Sequence, residues 1–366
     1  MQTNIVSEGN VRIIKKVGGS EAFYNPLGEF SRDVFVKLFS AYALNKGENL
    51  IYAEPFSGTG IKGIRLSVEG KGFSTFIFND INKGSLEIAK KNWNTNNVKG
   101  KGIFYNLEAN DFFQRLVNLG RVDGIDVDPF GSSSPYIFNA IRSVKGGGII
   151  SFTFTDTQVL GGIHSEALEK RYHIKAKKVQ FLKELQARIA ITNVILEAST
   201  VNIAAVPVFA HVDKHYIRSY HIIKPKASLA GELVKDIKYL TISDCGFVSL
   251  EERPYCPYCG EPTDTVGPLY TGKIFDKDLV KKAHYISDDC ERCADLFNAA
   301  LEEFDRIPFY YDTKYIASII KTSTPSKTSL IDKLNKSGFR ASRTVFCPTG
   351  IKTDAPFGVF KSTFYQ

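Results

Sequence analysis

The sequence predicts an α/β protein: a doubly wound, mainly parallel, Rossmann-like sheet followed by a smaller α+β domain. Three observations lead there. Short apolar runs alternate with helical patterns between residues 50 and 154, the rhythm of βαβ units. A glycine-rich turn follows the first of those runs. The composition then shifts near Lys224-Pro225-Lys226, which places a domain boundary there and divides the chain into 1–225 and 226–366.

Taken in order, residues 31–44 read as an amphipathic helix, with Ser31 as N-cap and Val34, Leu38 and Ala41 at helical spacing. Leu50-Ile51-Tyr52-Ala53 is a short buried strand entering Glu54-Pro55-Phe56-Ser57-Gly58-Thr59-Gly60, and the next helix ends near Gly70. Strands are expected at 76–78, 103–105, 122–127 and 148–154, with helices at 83–93, 111–119 and 135–143 between them. Further on, 176–198 reads as a long helix, and 201–210 and 215–223 as an antiparallel pair closing the sheet edge. Beyond the boundary come a Cys/Gly/Pro-rich portion (242–272), a helical acidic portion (276–320) and a basic close.

The chain of 366 residues is 43% hydrophobic and 23% charged, ordinary globular composition that argues against a disordered or fibrous protein. Its longest apolar runs, such as 201–210, fall far short of the ~20 residues a membrane helix needs. The N-terminal ten residues carry no apolar signal core, and six cysteines make no secreted disulfide framework. A cytoplasmic protein without membrane attachment is expected, and no obligate protein partner is inferred.

Charge is unevenly spread. Residues 1–225 carry a net +8, 226–320 a net −6 and 321–366 a net +6. The densest basic cluster is Lys170, Arg171, Lys175, Lys177, Lys178, Lys183 and Arg188. Such a distribution suits a polyanion held between two surfaces, nucleic acid being the commonest.

Two constellations carry chemistry. Gly58, Gly60 and Gly63 form G-x-G-x-x-G between a strand and a helix, with Asp80 at the next strand tip. Glycines there permit a sharp turn and close approach of a nucleotide-type cofactor, and the acid bonds ribose hydroxyls. Nicotinamide dinucleotides and S-adenosyl-L-methionine both use such a site. Glu54 at the first strand tip would repel a pyrophosphate but suits an amino group, which tilts the reading to S-adenosylmethionine. Second, Asp126-Val127-Asp128-Pro129-Phe130-Gly131 ends the fourth strand of this series beside that crevice. An exocyclic amine on a base is a poor nucleophile because its lone pair is delocalised. The Asp128 carboxylate and the Pro129 carbonyl can accept its two N–H bonds and draw the lone pair out. Pro129 fixes φ, and Phe130 can stack on the base.

These stretches resemble the tRNA guanine-26 N2-dimethyltransferase family in its shorter archaeal form. The likeness also rests on Phe23-Tyr24-Asn25-Pro26, Arg32-Asp33, Ile61-Lys62-Gly63-Ile64-Arg65, Thr155-Asp156-Thr157 and His215-Tyr216-Ile217-Arg218. It continues through Gly267-Pro268-Leu269-Tyr270, Ala341-Ser342-Arg343-Thr344 and Lys352-Thr353-Asp354-Ala355-Pro356. The motifs run from residue 23 to residue 356 in the family's order, individually weak and jointly specific. The resemblance implies a class I methyltransferase domain, S-adenosyl-L-methionine as methyl donor and tRNA as substrate, giving N2-methyl- and N2,N2-dimethylguanosine. It implies that Arg32, Arg65 and Asp80 contact the cofactor and that Glu108-Ala109 stand near its adenine, where the family usually has Asp-Ala. It implies that Phe23 and Phe130 flank the target base, and that the C-terminal domain grips tRNA.

The cysteines fit the resemblance less well. The family has two CxxC pairs before the Gly-Pro-Leu segment; here Cys256 and Cys259 form one, and the other is reduced to Ile242…Cys245. Cys256 and Cys259 are candidate zinc ligands in a zinc-ribbon-like part. Cys290-x-x-Cys293 lies beyond that segment, leaving a rearranged zinc site, disulfides or free thiols open. Two rival readings are a nicotinamide-dependent oxidoreductase, which leaves Asp128-Pro129-Phe130 unexplained, and a non-catalytic RNA-binding relative, against which the intact Asp128-Pro129-Phe130 speaks.

Overall fold

The computed structural model describes residues 5–17, 20–213 and 215–365. The first four residues of the N-terminal stretch and Lys214, within the expected turn between two strands, lie outside that range. The chain opens with a hairpin, β1 (Ile5–Glu8) against β2 (Val11–Ile14), and a second short pair, β3 (Lys16–Val17) and β4 (Ser20–Glu21). No apolar periodicity announces the first hairpin. Its anchor comes from further along: Asn92 accepts from Ile14 N–H at 2.8 Å and donates to Ile14 C=O and Thr59 C=O, each at 3.0 Å. One buried amide thereby satisfies backbone groups on the hairpin and on the glycine loop.

Then α1 (Glu29–Lys46), β5 (Leu50–Glu54), α2 (Ile61–Glu69), β6 (Phe73–Asn79), α3 (Lys83–Thr95), β7 (Lys101–Tyr105), α4 (Ala109–Asn118), β8 (Val122–Val127), α5 (Ile137–Arg142) and β9 (Val144–Phe154) alternate as expected. One expectation is corrected. Helix α1 starts at Glu29 after Gly28, and Ser31 is a buried residue within it rather than its cap. The turn before it is closed instead by Asn25, which accepts from Leu27 N–H at 3.0 Å.

After α6 (Thr157–Leu160), α7 (Ser165–Tyr172) and α8 (Leu182–Ser199) come β10 (Ala204–Asp213) and β11 (Tyr216–Lys224). The main sheet has the order β10-β11-β9-β8-β5-β6-β7. The pairs β9/β8, β8/β5, β5/β6 and β6/β7 are parallel, so the strand order reverses between β5 and β8. The ends of those two strands carry Glu54 and Asp128, at the position where doubly wound sheets open a crevice.

The remainder contains α9 (Ala227–Lys235), a three-stranded sheet of β12 (Ile237–Ile242), β13 (Val248–Ser249) and β14 (Asp264–Tyr270), then α10 (Lys277–Tyr285) and α11 (Glu291–Glu302). A second three-stranded sheet of β15 (Tyr311–Asp312), β16 (Ala341–Thr344) and β17 (Cys347–Thr353) follows, with α12 (Thr313–Ile319), α13 (Lys327–Lys336) and α14 (Phe357–Ser362).

Two compact units result. The first holds Met1–Thr153, Tyr220–Pro225 and Lys277–Phe297; the second holds Phe154–Ser219, Lys226–Asp276 and Asn298–Gln366. One crossing between them lies at Pro225/Lys226. In the first unit, Lys282 bonds Asn45, Lys37 pairs with Asp289, and the Arg292 guanidinium lies 3.6 Å from the Phe30 ring centroid. These contacts tie residues 277–297 to α1.

The second unit has a buried charge cluster at its core. Lys352, fully buried, lies 2.7 Å from Glu184 and 2.8 Å from Glu303, and Arg188 lies 2.9 Å from Glu184. Arg188 also donates to the carbonyls of Tyr270 and Gly272, at 2.7 and 3.0 Å. This corrects the expected basic surface cluster, since Arg188 is interior. Of its other members, Arg171 pairs with Asp156 at 2.5 Å, and Lys177 pairs with Asp244 and Asp264.

Candidate active site

The site is built at the strand tips of the first unit. β5 delivers Glu54, and the backbone turns through Gly58 (φ +51°) and Gly60 (φ +76°) into α2. Gly60 precedes the first helical residue in the left-handed region, where a Cβ is costly. Gly63 has a different reason: a Cβ there would stand 2.5 Å from the Phe78 ring, so the helix can lie against β6 only with glycine.

Three loops are tied together by Asn79 and Asp80. Asn79 donates to the carbonyls of Pro55 and Leu107, each at 3.1 Å, and accepts from Leu107 N–H at 3.0 Å. Asp80 accepts from Gly58 N–H and from Asn82 N–H, both at 2.9 Å. Its carboxylate therefore stands against the glycine turn. Glu108 caps α4 by accepting from Asn110 N–H at 2.7 Å, and Ala109 beside it is buried. Gly58, Gly60, Asp80, Glu108 and Ala109 thus stand on three adjoining loops. Next to Asp80, Ile81 is 73% exposed, an apolar side chain left at the edge of the same crevice.

Glu54 closes β5. It is buried, accepts from Gly63 N–H at 3.2 Å, and burial pushes its carboxyl up to about 8 against the pull of Lys62. At neutral pH it is mostly uncharged and forms the floor beneath α2. Arg32 and Arg65 are likewise committed within the protein. Arg32 donates to Glu8 at 2.7 Å and to the Asn25 carbonyl at 3.0 Å. Arg65 lies 2.9 Å from Glu8, 2.6 Å from Asp33 and 2.8 Å from Glu69. Tyr24 donates to Glu8 at 2.9 Å. Burial opposes the charge on Glu8, yet the two guanidinium groups hold its carboxyl below the usual range.

At the end of β8, Asp126 is fully buried, Asp128 is part-exposed and Pro129 is buried, while Phe130 is 81% exposed. Ser133 anchors the loop by donating to Thr153 C=O at 2.7 Å. Phe23, 62% exposed, meets Phe130 edge-to-face with centroids 4.8 Å apart. Two large apolar rings held at the surface in mutual contact are unusual for structural residues. At this spacing they touch each other, so one must swing for a base to stack between them. Lys62 bridges Asp126 (2.5 Å) and Asp128, and Ser151 donates to Asp126 at 2.5 Å. Lys62 carried no signal of its own in the sequence, where a lysine on an amphipathic helix reads as solvated.

The crevice suits a polar cofactor. Among the described residues, the buried hydroxyls of Ser57 and Thr59 on the glycine turn have no hydrogen-bond partner within the protein, although such groups are nearly always satisfied.

In the second unit, the sulfur atoms of Cys245, Cys256 and Cys259 lie within 4.8 Å of one another. The Ser243 hydroxyl is 3.4 Å from Cys259 and 3.5 Å from Cys245. Cys290 and Cys293 are joined to each other as a disulfide in the first unit.

Residues 3–365 match the family described as N2,N2-dimethylguanosine tRNA methyltransferase. The chain belongs to this family. Among curated relatives, a tRNA (guanine(26)-N(2))-dimethyltransferase of Methanosphaera stadtmanae is 30% identical, over 99% of this chain and 96% of the relative. One of Methanothermobacter thermautotrophicus is 32% identical, over 96% of each. The solved structure of Trm1 from Pyrococcus horikoshii with S-adenosyl-L-methionine superposes with a TM-score of 0.86 at 28% identity, covering 98% of this chain and 99% of that one. The fold is that of a class I methyltransferase with a C-terminal addition. Among the described residues, no helix is long and apolar enough to cross a membrane.

Proposed function

We propose that the chain methylates the exocyclic N2 of guanine 26 in tRNA, once and then again, with Asp128 and the Pro129 carbonyl holding the amine. The observation that carries this is the part-exposed Asp128 carboxylate at the strand-order reversal, paired with Lys62 of the helix that follows the glycine turn and two residues before Phe130 of the exposed Phe23–Phe130 pair. S-adenosylmethionine, when bound, supplies an electrophilic methyl group on a sulfonium. Gly58, Gly60, Asp80, Glu108 and Ala109 would hold it, with Asp80 on the ribose. Arg32 and Arg65 act one step back by fixing Glu8 and the segments around it.

The Asp128 carboxylate and the Pro129 carbonyl accept the two N–H bonds of the guanine amine, which directs its lone pair at the methyl group. As the N–C bond forms and the S–C bond breaks, positive charge appears on nitrogen, and the nearby anion stabilises it. Asp128 stands to receive the proton the amine sheds, and sulfur leaves as a neutral thioether. Positioning within attack distance is the main contribution, so no covalent enzyme intermediate is needed. A guanine stacked in the tRNA core must flip out to enter, and Phe23 and Phe130 offer it replacement stacking. We also infer that Cys245, Cys256 and Cys259 would hold a zinc ion, with the Ser243 hydroxyl beside them.

The test is Asp128→Asn, which keeps the size but removes the charge and turns one acceptor into a donor. Methyl transfer from labelled cofactor to an unmodified tRNA transcript should fall by ~10²-fold or more, with cofactor and tRNA binding retained. An Asn variant that forms dimethylguanosine at near wild-type rate overturns the assignment.

A further inference from the structure

Lys62 is a cation placed among three carboxyl groups of the site, those of Glu54, Asp126 and Asp128. Its ammonium lies 2.5 Å from the Asp126 carboxylate and contacts that of Asp128. Glu54 feels the charges of all three. The bland explanation is that Lys62 neutralises Asp126, whose side chain is wholly buried and would otherwise be an uncompensated interior charge. That explanation leaves its second contact unused. Asp126 already receives the Ser151 hydroxyl at 2.5 Å, whereas Asp128 sits in the loop after β8 with 31% of its side chain exposed. A buried ammonium carried on a helix can give that carboxylate a rigid direction. Lys62 provides this from the second residue of α2, with its own side chain 7% exposed.

We propose that Lys62 is a positioning residue for methyl transfer: its buried ammonium, braced on Asp126, holds the Asp128 carboxylate in the direction that receives the guanine amine. The inference rests on the role given above to Asp128. Its chemical consequence is specific. Methyl transfer demands an in-line approach, and an acceptor misaimed by a fraction of an ångström costs rate rather than binding. A Lys62 that only neutralised Asp126 would matter for stability alone.

The two roles separate in a double variant. Lys62→Met alone strands Asp126 and is expected to lower the melting temperature. Lys62→Met combined with Asp126→Asn removes both buried charges together, and the Asn side chain can still meet Ser151. The double variant should recover most of the melting temperature and bind S-adenosylmethionine and tRNA within threefold of wild type. Its kcat should remain at least tenfold down with KM for tRNA little changed.

A double variant that regains wild-type kcat along with stability overturns the positioning role, and so does one whose loss lies wholly in KM. Should the double variant also fail to fold, Lys62→Arg decides. A folded Arg variant with intact binding but a kcat at least tenfold down supports positioning, because a guanidinium still neutralises Asp126, and one that keeps kcat within threefold of wild type overturns it. An Arg variant that loses cofactor or tRNA binding instead overturns the proposal. Asp128→Asn in the same assay keeps the two readings apart. If it is active, the role of Asp128 fails; if it is inactive while the double variant is fully active, only the role of Lys62 fails.

Discussion

Replacing Glu54 by Gln should change how stability depends on pH, and the size of the change follows from burial. The Glu54 carboxyl is raised from 4.5 to about 8, with burial the leading cause and the charges of Asp126 and Asp128 adding to it against Lys62. An acid raised in the folded state imposes no penalty below about pH 4.5, where both states hold the proton. Between there and about pH 8 the folded protein keeps a proton that the unfolded chain releases, so stability falls as pH rises. Above about pH 8 the full penalty applies, on the order of 5 kcal/mol for a displacement of this size. Gln retains an oxygen for Gly63 N–H and has no charge to bury. Unfolding in urea from pH 5 to pH 9 should show the two proteins converging at the acid end, with the variant increasingly the more stable toward the alkaline end. Parallel curves would refute the argument. The same variant tests what Glu54 does for the cofactor. If it is already uncharged at pH 7, affinity for S-adenosylmethionine should change by less than threefold. A large loss would mean that the carboxylate meets an amino group as an anion.

Further outcomes follow from the second unit and from the glycine turn. Lys352→Met should cost about 3–5 kcal/mol, read as a lowered melting temperature, because it removes the buried cation that pairs with both Glu184 and Glu303. An unchanged melting temperature would show that the cluster adds nothing net. Metal analysis of the purified protein should find one zinc per chain, chelation should lower the melting temperature, and Ser243→Cys should slow zinc loss to a chelator by at least tenfold. Metal-free protein of undiminished stability would remove zinc from the account. Asp80→Ala should weaken S-adenosylmethionine binding at least tenfold, since it deletes the expected ribose contact and the brace on Gly58 N–H; unchanged binding by calorimetry would exclude both roles.

The parts of this protein that could be read from its sequence are those whose signal is local. The β5–glycine turn–α2 unit, Asp80 at the next strand tip and Asp128-Pro129-Phe130 each lie within a few residues of the feature that explains them. The parts that could not be read depend on partners distant in the chain. Lys352 and Arg188 count as surface charge until Glu184 and Glu303 are found around them, and Lys352 and Glu184 are 168 residues apart. The first hairpin has only four residues per strand and is held by an asparagine 78 residues further on. Ser31 is a good capping residue that a turn closed by Asn25 made unnecessary. Phe23 resembles any core aromatic; only its exposure and its contact with Phe130 mark it out. Lys62 is the clearest case, because whether a helical lysine faces water or two carboxylates is decided by which strand lies beneath it.

The discontinuous make-up of the first unit has a consequence during synthesis. A ribosome releases the chain from its N-terminus at roughly 5–20 residues per second. The strands of the central sheet from β5 to β9 are therefore free to pair early. The surface of α1 that receives Lys282, Asp289 and Arg292 must wait until residue 297 has emerged, with the second unit's first two segments made in between. For that interval the nascent catalytic half carries an uncovered helix face. A gene fragment stopping at codon 225 would leave it uncovered for good, so chaperone dependence and poor solubility are to be expected of the isolated N-terminal half.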